Sequence, residues 1–130
     1  MGLAEKRLAQ EIKNDKLPAF ESKIKDLAGY DIKVDIDWDT FTAYDSYALS
    51  RLDIVFDDLS SFVKKICSDD LGKEALKEKM STIKLTNVEN REDTSMAFDG
   101  NVFDVKVKLA GDSFSAYTDS QLADYVEKQL

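Results

Sequence analysis

TSMAFDGNVFDVKVKLA, residues 94–110, decides the fold class of this chain. Two alternating runs flank Asp99-Gly100. In the second run Phe103, Val105, Val107 and Leu109 share one parity, while Asp104, Lys106 and Lys108 share the other. A period of two is that of a strand, whose side chains point to opposite faces in turn. An Asp-Gly pair between two such runs predicts a tight hairpin. One face is greasy and the other charged, so the sheet is expected to be covered on one side only. From that pattern we expect it to be mostly antiparallel.

Upstream, STIKLTNV (81–88) places Ile83 and Leu85 together, and the polar loop NVENRED (87–93) joins it to the hairpin. Further back, DIKVDIDW (31–38) sets Ile32, Val34, Ile36 and Trp38 against Asp31, Lys33, Asp35 and Asp37, a fourth half-buried strand. Between them, Ala48, Leu52, Val55, Leu59, Phe62 and Ile66 repeat by fours and threes, and Leu49, Phe56, Val63 and Cys67 widen the stripe. So broad an apolar arc predicts one long helix over about 46–67, packed across a sheet. Ile54 projects away from the stripe and is expected to be exposed.

The remaining segments read as helices. Leu17, Phe20, Ile24 and Leu27 mark one face of a helical region over 3–28, which Pro18 is expected to interrupt or restart and Gly29 to close. Ser68 and Asp69 cap a short helix expected to hold Leu71, Ala75, Leu76 and Met80 inward. Thr118 and Gln121 form a capping box ahead of a final helix that carries Leu122, Ala123, Val126 and Leu130. The element order is α-β-α-α-β-β-β-α. The expected architecture over 1–130 is a single α+β domain: a mostly antiparallel four-stranded sheet with its helices on one face.

The 130 residues suit one domain with a core of its own, needing no metal or disulfide staple. No run approaches the roughly 20 apolar residues of a membrane span. The opening MGLAEKRLAQEIK lacks the apolar centre of a signal peptide, and Lys6 stands where a myristoylation signal wants Ser or Thr. The expected location is cytoplasmic.

Chemistry is narrowed in the same way. One cysteine, Cys67, allows no internal disulfide and no thiolate zinc cage, and there is no histidine to serve as general base or ligand. Cys67 ends the apolar stripe with Asp69 and Asp70 close behind it, and reads as core. The chain has no nucleophile elbow and no glycine-rich phosphate loop. No catalytic residue and no cofactor is assigned.

The net charge is −8, and residues 31–60 hold eight aspartates against Lys33 and Arg51. Such a field repels phosphate backbones and anionic lipid, which argues against nucleic-acid and membrane binding and toward a basic protein partner. Within this block, VDIDWDTFTAYDSY (34–47) invites comparison with a calcium loop through Asp35, Asp37 and Asp39. That template needs Gly at its sixth position and Glu at its twelfth, where this chain has Thr40 and Ser46. No metal is assigned, and these aspartates read as the wet side of a strand facing lysines.

Of the aromatics there, Trp38 and Phe41 are expected in the core, and Tyr44 and Tyr47 at the strand-to-helix connection. The plainer alternative is a hydrophobic plug under a loop. Tyrosine among acids suits docking onto a basic protein. The expected partner-binding set is Asp37, Asp39, Tyr44, Asp45, Tyr47, Asp53 and Asp57. The chain then reads as a small acidic interaction module, of the kind that inhibitors and immunity-type proteins are. The alternative is a ligand-binding or enzymatic domain with a pocket between sheet and helices. A homo-oligomer through Ile54, the first helix or an edge strand is a further option.

Overall fold

The structure, a computed structural model, describes residues 2–43 and 46–130. The N-terminal helical region runs unbroken through Pro18: α1 (Leu3–Glu11), a π turn (Ile12–Lys16) and α2 (Leu17–Ala28). The expected restart falls here: α1 gives way to the π turn, and α2 begins anew with Pro18 in its first turn. Leu17 donates its N–H to the Ile12 carbonyl, five residues back. The widened turn lies where the proline would otherwise meet the preceding carbonyls. Gly29, at φ +81°, ends α2.

β1 (Lys33–Ile36) is shorter than the alternation predicts. Asp37 turns the chain (φ −78°, ψ 83°) into a short helix, α3 (Trp38–Thr42), so Trp38 begins a helix and is only half-buried. Phe41 is fully buried, as expected.

The predicted long helix is divided. Arg51 (φ −81°, ψ −3°) stands as a turn residue between α4 (Ser46–Ser50) and α5 (Leu52–Ile66). Asp69 then caps α6 (Asp70–Lys79) by accepting the Gly72 N–H at 2.7 Å. In α6 Leu76 and Met80 are buried, but Leu71, expected inward, is 77% exposed.

β2 (Thr82–Asn87), a 3₁₀ turn (Arg91–Asp93), β3 (Ser95–Asp99), β4 (Val102–Val107) and α7 (Asp119–Gln129) complete the chain. The hairpin forms as predicted, with Asp99 opposite Val102. Gly100 has φ +60° and Asn101 a negative φ, a combination that fits a type II′ turn. The capping box forms as well: Thr118 Oγ1 accepts from the Gln121 N–H, and Gln121 Oε1 accepts from the Thr118 N–H.

The four strands lie in the order β1-β2-β4-β3. β1 and β2 are parallel, β2 and β4 are parallel, and the β3–β4 hairpin is antiparallel. The sheet is therefore mostly parallel, a correction to the expected antiparallel one. Alternation reports that one face is covered, and it is the same whichever way neighbouring strands run. Direction is set by the connections. The chain from β1 to β2 passes through α3–α6 and returns parallel. After β2 it steps past the place of β4 to build the outer strand β3, then folds back so that β4 lies between them.

The apolar face meets the helices through rings. Phe62 of α5 lies 5.8 Å from Phe103, and Tyr125 of α7 stacks on Phe98 and Phe103. Phe20 of α2 stacks on Phe56 of α5 at 4.5 Å, which ties the helical layer together. Lys33, Asp35 and Lys84 on the other face are exposed, so that face is open. Across it Lys84 stands opposite Asp35 on one side and Asp104 on the other.

Candidate functional site

Arg51, at the break between α4 and α5, organises the most distinctive surface of the molecule. Its Nη1 donates to the Leu109 carbonyl at 2.7 Å and to the Gly111 carbonyl at 2.6 Å. The guanidinium lies over the Tyr47 ring at 4.7 Å and near the Phe114 ring at 5.3 Å. The two rings are 52% and 45% exposed, and Ile54, the next exposed apolar residue of α5, is 40% exposed. Large apolar groups usually gain by leaving water. Here three remain wet around a cation whose position is set by two backbone carbonyls.

The local chemistry explains the arrangement. Residues 108–115 form a turn closed by paired backbone bonds between Lys108 and Ser115 at 2.9 and 2.8 Å. Lys108 Nζ donates to the Ala110 and Ser113 carbonyls inside it. The turn is thus a rigid mount for Phe114. On the opposite side, Arg51 keeps its N–H bonded to the Tyr47 carbonyl at 3.0 Å, which holds Tyr47 one helical turn away.

Acidic groups border this surface. Asp57 and Asp58 lie three and four residues beyond Ile54, neighbours on a helix surface. Asp58 accepts the Asp119 N–H at 3.3 Å and so anchors the start of α7 on α5. Partial burial pushes the Asp58 carboxyl above its ordinary range, an effect the Asp119 N–H opposes. Asp119 is held below its ordinary range, chiefly by a hydrogen bond from Lys65 at 3.1 Å.

The residues predicted from sequence do not form one patch. Asp37 and Asp39 line a shallow groove of about 500 Å³ with Lys13, Asp35, Trp38 and Lys84, and Lys13 sits 5.0 Å from the Trp38 ring. Asp53 and Asp57 line a second groove, of about 360 Å³, between α2 and α5. There Asp53 pairs with Lys16 at 2.6 Å, both side chains about half exposed. The π turn thus sends Lys13 to one aspartate pair and Lys16 to the other, so each acidic pair has a cation beside it. Tyr44 and Asp45 lie outside the described residues. Of the predicted set only Tyr47 stands in the aromatic surface, with Asp53 and Asp57 on the adjoining face of α5.

Phe114 carries a usable signal, an aromatic in the polar loop GDSFS, where no periodic pattern would bury it. Arg51 is one of two cations among the eight aspartates of 31–60, but nothing local points to its carbonyl partners, which lie about 60 residues away.

The space between the sheet's apolar face and the helices, where a ligand pocket was the alternative, is filled by side chains. Leu59, Phe62, Val63, Ile83, Leu85, Phe103 and Leu109 have no accessible surface there. Among the described residues no three acidic or sulfur side chains converge as metal ligands do. Cys67 is buried, and burial pushes its thiol above the ordinary range. No helix among the described residues is long and apolar enough to cross a membrane. No family model, no curated protein and no solved structure matches this chain.

Proposed function

We propose that this chain is a protein-interaction module that docks onto a basic partner through Tyr47, Arg51, Ile54 and Phe114, with Asp53 and Asp57 at the margin. The observation that carries the reading is the arginine pinned by two carbonyls between two half-exposed rings. Tyrosine and arginine are the residues on which binding energy concentrates at protein interfaces. A side chain already held in place loses little freedom when a partner covers it. The net charge of −8 and the nearby aspartates favour a partner of opposite sign and speed its approach. An inhibitor or immunity-type protein, which masks a basic surface, fits these features.

The test has two stages. The chain is used to capture its partner from the native cell at low salt, and the purified pair is then titrated with the wild type, Tyr47→Ala and Phe114→Ala. The expected result is a basic protein whose affinity falls by about tenfold or more in each variant. Its association rate should also drop as salt rises. Equal binding by all three chains, or a rate indifferent to salt, overturns the reading.

A further inference from the structure

β3 is an outer strand of the sheet with a free edge; it is five residues long, and Lys79 lies over the Phe98 ring at 4.9 Å. The hairpin register pairs Ser95, Ala97 and Asp99 with Lys106, Asp104 and Val102. A two-residue turn makes Asp99 and Val102 a hydrogen-bonded pair, and such pairs recur at every second residue. Ser95, Ala97 and Asp99 therefore spend their backbone groups on β4. Those of Met96 and Phe98 point outward, and among the described residues no other segment is hydrogen-bonded to this edge. Proteins usually guard such an edge with lysine, proline or a bulge. SMAF has none of these.

We infer that β3 pairs with β3 of a second copy of this chain, antiparallel across a two-fold axis, so that two four-stranded sheets become one of eight strands. The register follows from the outward groups. They meet when Met96 stands opposite the partner's Phe98 and Phe98 opposite the partner's Met96, and this register uses the whole strand. It sets Ala97 against the partner's Ala97 in the closely spaced position, where small side chains fit best. On the apolar side a thioether meets a phenyl ring twice, a favourable contact.

On the open face one opposite-charge pair can form per copy, with the Asp104 beside Ala97 acting against it. Ser95 faces the partner's Asp99, and Lys106, next to Ser95 on β4, can reach over that short side chain to the same carboxylate. The pattern repeats by symmetry. A single pair of short strands buries less than a standard stable interface, and two bodies of charge −8 repel. The dimer is thus weak, forms at high protein concentration and strengthens with salt, opposite to the salt dependence of the basic partner.

Sedimentation equilibrium between about 10 μM and 1 mM, in low and high salt, tests this. The wild type should dimerise, and more so at high salt, while hydrogen exchange slows at the Met96 and Phe98 amides. Ala97→Glu should raise the dissociation constant by about tenfold or more, by setting two carboxylates face to face beside the Asp104 of each copy. Lys106→Glu should weaken the dimer and Lys106→Glu with Asp99→Lys should restore it, with thermal melts confirming that each variant folds. A wild type that stays monomeric throughout, or a dimer indifferent to Ala97→Glu, overturns the proposal.

Discussion

Asn87 and Arg51 hold the same residue by its two backbone groups, one from inside the molecule and one from its surface. Asn87 is 3% exposed. Its Oδ1 accepts the Leu109 N–H at 2.8 Å, its Nδ2 donates to the Thr40 carbonyl at 3.1 Å, and its own N–H donates to Thr40 Oγ1 at 3.0 Å. It thereby joins β2, α3 and the exit of β4 with both ends of its amide hydrogen-bonded. Arg51 takes the Leu109 carbonyl and the Gly111 carbonyl, but its plane faces two wet rings. The difference teaches where structure ends and recognition begins. A buried polar group that satisfies every neighbour has nothing left to offer a partner. A half-buried cation, with one nitrogen bound to two carbonyls and exposed aromatics beside it, does.

Three measurements would break or sharpen that contrast. The largest effect is expected from Asn87→Leu, which keeps the volume but strands the Leu109 N–H and the Thr40 carbonyl in the core. Urea denaturation should show a loss of about 2–4 kcal/mol. A loss much below 1 kcal/mol would mean that the inner clamp is not structural.

Arg51→Ala comes next. Two charge-assisted bonds disappear, but water can reach the freed carbonyls, so about 1–2 kcal/mol is expected by the same assay. A cost matching that of Asn87→Leu would make Arg51 a core residue in disguise. Phe114→Ala should cost least, about 0.5 kcal/mol or less, the scale of an exposed cation–π contact. A fall of several kcal/mol would show that Phe114 exists to hold the turn and not to meet a partner.

Much of the fold is legible in the order of the residues. The hairpin at Asp99-Gly100, the capping box at Thr118 and the exposure of Ile54 all follow from local rules, and the structure has each of them. The failures have physical causes. Trp38 shares the parity of Val34 and Ile36, yet Asp37 turns the chain before that parity can bury it. Leu71 has the spacing of an inward residue, but the short α6 buries only its later turn, at Leu76 and Met80. Pro18 restarts the helix as its chemistry requires, but the π turn before it keeps the region continuous where a clean break could also have been expected. For the candidate site, charge density points to residues 31–60, which hold Tyr47, Arg51 and Ile54 but not Phe114. It takes no account of Lys13 and Lys16, which reach the aspartates from a segment distant in sequence.

Side-chain periodicity by itself determined most of the elements, most of their inward faces and the one-sided cover of the sheet, since these rest on spacing within a few residues. Only the tertiary structure decided that β1, β2 and β4 run parallel, that β4 slots in beside β2, and that Arg51 finds Leu109 and Phe114. A strand alternates in the same way whichever direction its neighbour runs. Partners about 60 residues apart meet only after the whole chain has closed around its core.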